Sequence, residues 1–168
     1  MKLLVAGAVI AICVSSVLAG QMPADNIHGL ISGVYELEEW HVTGAALKPP
    51  QVEGRFILLN GTITTILHNR TAPERQTTTV FVGKYVLDKA HFSYGYRDAS
   101  NFVETATGAS ASHKPPWDGM RSFATIVTPA GIQLRAEGGQ QEFAFTKVGF
   151  TYSENGQTLR VWRRIAED

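Results

Sequence analysis

The chain has 168 residues, with 15 Lys and Arg against 15 Asp and Glu and no formal net charge at pH 7. That length suits one domain. The even charge balance, with no basic block, argues against nucleic acid or an acidic lipid surface as a partner. The single cysteine, Cys13, lies within the first apolar run. A chain processed beyond it has no thiol catalysis, disulfide exchange or cysteine-ligated zinc, and must be held together by its core.

Met1-Lys2, an apolar run over residues 3–14 and then Ser15-Ser16-Val17-Leu18-Ala19 form the charged, apolar and small-residue zones of a secretory signal. Cleavage is expected after Ala19, and the expected location is secreted or periplasmic. The apolar run is shorter than the ~20 residues needed to cross a bilayer, so no stable membrane anchor is expected. Ile12 stands before Cys13 where lipoprotein processing needs a small residue. Residues 20–30 read as an N-terminal extension and residues 31–166 as the folded domain.

From Ile31 onward, short stretches rich in Val, Ile, Thr, Phe and Tyr alternate with Gly, Pro, Asn and Asp, and no long helical period appears. The predicted strands are 32–43, 53–59, 62–68, 78–87, 91–97, 101–105, 121–128, 132–136, 142–151 and 158–164, with two or three expected to merge or prove irregular. In the first of these, alternation places Tyr35, Leu37, Glu39 and His41 on one face.

Asn60-Gly61 supplies the two positive-φ residues of a type I′ hairpin turn. The implied register sets Leu59 against Thr62, Leu58 against Ile63 and Phe56 against Thr65. A second turn around Asp88-Lys89-Ala90-His91 sets Leu87 against Phe92, Tyr85 against Tyr94 and Gly83 against Tyr96. Phe81, Tyr85, Phe92, Tyr94 and Tyr96 then share one aromatic face, which either packs solid or surrounds a flat apolar guest. Two long connections, 69–77 and 106–117, are expected at a barrel mouth. The pattern predicts an all-β, antiparallel up-and-down barrel of about eight strands, because closure removes exposed edges; a two-sheet sandwich is the rival.

Gly33-Val34-Tyr35-Glu36-Leu37, Gly54-Arg55-Phe56-Ile57-Leu58, Asn60-Gly61, Gly83-Lys84-Tyr85-Val86, Trp117-Asp118-Gly119 with Arg121, and Leu159-Arg160-Val161-Trp162-Arg163-Arg164 follow one another along the chain. In that order they resemble the lipocalin-like domain family over roughly residues 31–165. Tyr35 stands where that family has tryptophan, and Glu36 where it has a basic residue. The resemblance implies a calycin-type barrel with a small-molecule site and transfers no catalytic residue.

Glu39 and His41, if inward, form an acid/base pair able to move a proton near neutral pH; otherwise both are surface residues. His28, His41, His68, His91 and His113 show no metal-ligand spacing, and no metal is expected. Arg55 and Arg121 each serve either as a structural tie or as a binder of a carboxylate or enolate oxygen. No phosphate loop, nucleophile elbow or nucleotide fingerprint occurs, and no cofactor is expected. The first expectation is a binder of a small apolar or aromatic molecule, with Tyr35, Phe56, Phe81, Tyr85, Tyr94, Tyr96, Trp117 and Arg121 lining the site. The alternative is a cofactor-free isomerase, cyclase or lyase using Glu39 and His41 in the same cavity. Self-association as a homo-oligomer is left open.

Overall fold

The computed structural model describes residues 24–165. The signal zones, Cys13 and the cleavage position at Ala19 lie outside the described residues. One short helix, α1 (Ala24–Ile31), precedes twelve strands: β1 (Gly33–Val42), β2 (Ala45–Leu47), β3 (Val52–Leu59), β4 (Thr62–Ala72), β5 (Arg75–Leu87), β6 (His91–Thr105), β7 (Gly108–Ser112), β8 (Arg121–Thr128), β9 (Gly131–Ala136), β10 (Gln141–Phe145), β11 (Gly149–Glu154) and β12 (Gln157–Arg164).

Ten of these strands pair antiparallel in a ring, and the ring closes where β12 pairs with β1. β2 and β7 are outer strands, paired with β1 and β6. This is the expected closed barrel rather than a sandwich, but with ten strands in place of about eight. One extra strand came from residues 142–151. Thr146 and Val148 make a tight turn there, in which Thr146 donates its N–H to the Gly149 carbonyl, and the run divides into β10 and β11. The expected long connection at 69–77 is mostly strand: β4 and β5 run on to Ala72 and Arg75 before turning. The predicted strands 91–97 and 101–105 are one strand, β6, carried through an irregularity opposite Val82 and Gly83.

The hairpin registers follow from the turn chemistry. Asn60 and Gly61 take φ of 50° and 75°, and Leu58 faces Ile63 while Phe56 faces Thr65. Leu87 faces Phe92, Tyr85 faces Tyr94 and Gly83 faces Tyr96, as the second turn predicted. Gly149 is required where β11 meets β12, because a Cβ there would lie 1.9 Å from the Trp162 carbonyl oxygen.

Glu36 locks the closing seam, taking Arg55 Nη1 on one oxygen and Arg163 Nη2 on the other, each at 2.6 Å. Arg55 is therefore a tie between β3 and β1 on the outer face.

The helix α1 was not predicted. Ile27 and Ile31 sit on one of its faces and are buried, as apolar residues spaced i, i+4 on a helix face can be. Below that cap the inward side chains form a packed layer of Tyr35, Leu58, Ile63, Phe92, Ile132 and Phe145. Tyr35 donates to the Ile31 carbonyl at 2.8 Å and accepts from Arg164 Nη2 at 2.8 Å. Arg164 also donates to the carbonyls of Ser32 and Leu30, so one end of the barrel is closed by a polar lock above an aromatic core, with only the Arg164 Nε in it left unpartnered.

Candidate functional site

At the opposite end the interior does not fill. A cavity of about 220 Å³ lies between the sheet and the loop leading into β8. Its walls come from alternate residues of many strands: Phe56 on β3, Thr65 and Leu67 on β4, Phe81 on β5, Tyr94 and Tyr96 on β6, and Phe143 on β10. Phe150, Tyr152, Arg160 and Trp162 complete the far side, while Pro116, Trp117 and Arg121 close the approach. The connection at 106–117 therefore does reach the mouth. Its first part is strand, β7, and its last part brings Trp117 against Tyr94 and Tyr96 at ring separations of 5.6 and 5.1 Å.

The aromatic face splits in two. Phe81 and Tyr96 stack at 4.9 Å and border the cavity, whereas Tyr85 and Phe92 pack 5.7 Å apart in the closed half. Of the residues expected to touch a guest, Phe56, Phe81, Tyr94, Tyr96, Trp117 and Arg121 meet at the cavity. Tyr35 and Tyr85 lie deeper, in the packed layer by the helix, where Tyr85 OH is 3.3 Å from Ser32 Oγ.

Glu39 and His41 stand elsewhere. A bulge between Leu37 and Glu39 shifts the pairing with β12, so Glu39 comes opposite Val161 and Trp40 opposite Arg160. One extra residue reverses the inward and outward faces of a strand. Trp40 consequently packs on the core, and Glu39 joins an outer groove with Lys48. Lys48 Nζ and His41 Nε2 each lie 2.8 Å from a Glu39 oxygen. Their hydrogen bonds, that of Lys48 first, hold the Glu39 carboxyl below the usual range. The neighbouring outer groove of about 440 Å³ is lined by Glu36, Arg55 and His68 among others, and the Glu36 and Arg55 charges there are already paired.

The polar groups inside the cavity are unlike those outside. Thr65 Oγ1 and Tyr96 OH are hydrogen bonded at 2.9 Å. Burial pushes the Tyr96 hydroxyl up to about 12, the Thr65 contact holding it back, and burial raises Tyr94 and Tyr152 as well. Arg121 lies over the Trp117 ring at 3.8 Å and donates to Gln141 Oε1 at 3.3 Å. Arg160 lies over Trp40 at 4.8 Å, its Nε is buried without a hydrogen-bond partner, and burial lowers its pKa. Trp117 Nε1 is likewise buried and unpartnered.

Sequence reasoning missed Arg160 and Tyr152. Alternation about Trp162 on β12 was the available signal, since a buried Trp162 carries Arg160 and Arg164 to the same face. Among the described residues no group of three or more His, Cys, Asp or Glu gathers as metal ligands would. Comparison with protein-family models, with curated proteins and with solved structures returned no match to this chain.

Proposed function

We propose that this protein binds a small, mostly apolar molecule in the open half of its barrel, and that the N-terminal signal pattern directs it outside the cytoplasm. The observation carrying the binding reading is the contrast inside one barrel: rings fill the helix-capped half, while Phe81, Tyr94, Tyr96 and Trp117 border an unfilled hollow at the mouth. A dry cavity of ~150 Å³ accommodates benzene, so about 220 Å³ suits one ring with a short substituent. The ring of strands and the order of motifs also support a relationship to the lipocalin-like family, again as a proposal.

The enzyme alternative, a cofactor-free isomerase, cyclase or lyase, relied on Glu39 and His41 facing the guest. With that pair held by Lys48 on the outer face, the titratable hydroxyls left at the cavity keep their protons well above neutral pH. Binding is the reading retained.

Titration of tryptophan fluorescence with single-ring and two-ring compounds tests it. Saturable binding is expected, and Thr65→Phe, which fills the hollow, should abolish it while the protein stays folded. Failure of every such compound to bind, or undiminished binding by the filled variant, would reject the cavity as the site.

A further inference from the structure

The fourteen residues around the hollow include two cations, Arg121 and Arg160, and no Asp or Glu. Neither arginine forms an ion pair among the described residues, although Arg55, Arg70, Arg135 and Arg163 all do. The Glu154 carboxylate, which acts on Arg160 from outside the lining, is held by Gln141 Nε2 at 3.3 Å, and the same amide's oxygen takes Arg121. A guanidinium drawn out of water without a counter-charge is costly, and an anion arriving beside it removes much of that cost.

The two arginines serve the same space. Both act electrostatically on the hydroxyls of Tyr94, Tyr96 and Tyr152, which border the cavity. Their flat faces rest on Trp117 and Trp40. Such stacking occupies the face of a guanidinium and leaves its N–H edge to donate, the geometry that matches a planar carboxylate. Arg160 lines the hollow with its Nε unpartnered, a state it shares with Arg164, which lies outside the cavity lining.

Resting on the binding reading above, we propose that the guest is a small aromatic monocarboxylate, its carboxylate taken by Arg121 and Arg160 and its ring seated among Phe81, Tyr96 and Trp117. The cavity volume admits one ring and a short acid arm. Two lining cations with no lining carboxylate favour an anion over an amine, and over the neutral apolar molecules that a purely greasy barrel would take.

Matched pairs test this by calorimetry at pH 7: benzoate against benzamide, and 3-phenylpropionate against 3-phenylpropionamide. In the unaltered protein the acid should bind about tenfold or more tighter than its amide, as charge-assisted hydrogen bonds do relative to neutral ones. In Arg160→Met and Arg121→Met the preference should fall to about threefold or less, with circular dichroism verifying the fold. Amides binding as well as acids to the unaltered protein would overturn the carboxylate and leave cavity binding standing. Equal preference in folded Met variants would also overturn it. If neither acid nor amide binds while other ring compounds do in the fluorescence titration, the carboxylate falls and cavity binding stands; if those fail too, both readings fall. Inorganic phosphate, added as competitor, should displace the acids only at concentrations far above those of benzoate; displacement as effective as by benzoate would overturn the ring's role.

Discussion

Arg164 and Arg160 both point into the barrel from β12, yet they meet opposite surroundings. Arg164, at the helix-capped end, donates to two backbone carbonyls and to Tyr35, so its charge completes a structure. Arg160, toward the mouth, rests over the Trp40 and Tyr152 rings instead, while the Nε of each arginine is buried without a partner. The same alternation delivers both side chains inward, and the difference lies in what the neighbouring elements supply. The closed end has α1 with its terminal carbonyls, while the mouth has a loop that lends Trp117 and Pro116 to the lining and keeps its Asp118 out of it. One half of the interior is stability and the other half is capacity.

The largest test of that division is truncation on each side of it. Tyr35→Ala removes a fully buried ring that contacts Phe56, Phe145 and Phe150 and unseats Arg164, so it should cost about 3–5 kcal/mol in urea unfolding. Phe81→Ala at the cavity wall should cost about 1 kcal/mol but weaken binding of any guest. Equal losses would erase the distinction.

The arginines sharpen it. Arg164→Met strands the Ser32 and Leu30 carbonyls and should destabilise by about 1.5–3 kcal/mol. Arg160→Met discards a largely buried charge that has no ion pair among the described residues, and the unfolding midpoint should hold steady or rise. A drop as large for Arg160 as for Arg164 would mean that the mouth arginine is structural.

Alkaline pH probes both halves together. Tyr35 and Tyr94 are raised by burial, and Tyr96 is raised to about 12 from the ordinary 10.0. A folded state that holds its protons more tightly than the unfolded chain is fully stabilised below the unfolded value and loses that advantage as pH climbs toward the folded one. Stability should therefore fall between pH 10 and about 12, with tyrosinate absorbance lagging until the chain unfolds. Tyrosinate appearing near pH 10 without unfolding would contradict the burial. The smallest effect belongs to the outer face: Glu39→Gln and His41→Ala should leave guest affinity unchanged and the unfolding midpoint within error, since exposed ion pairs contribute little.

Much of this architecture was readable from turns and alternation. Asn60-Gly61 and the Asp88 turn set two hairpin registers because a tight turn dictates which residues face each other. What alternation could not reveal was a break in itself: the bulge after Leu37 exchanged Glu39 for Trp40 on the inner face, and no local residue signals that extra position. The cavity was half legible. Phe81, Tyr94 and Tyr96 shared a face by register, but where filling stops depends on α1 and on the loop bearing Trp117, both of which approach from distant parts of the chain. Arg160 was overlooked because its strand was read as a motif rather than as an alternating ladder.

The seam between the first and last barrel strands has a consequence for assembly. Arg163 and Glu36, joined there, are separated by 127 positions in the chain. Contacts that distant form slowly, since most of the loop entropy is lost before they contribute. Until β12 arrives the sheet has two raw edges able to recruit foreign strands. The final eight residues of β12 therefore act as a latch: a chain cut short before Gln157 leaves an open, adhesive ribbon in place of a vessel.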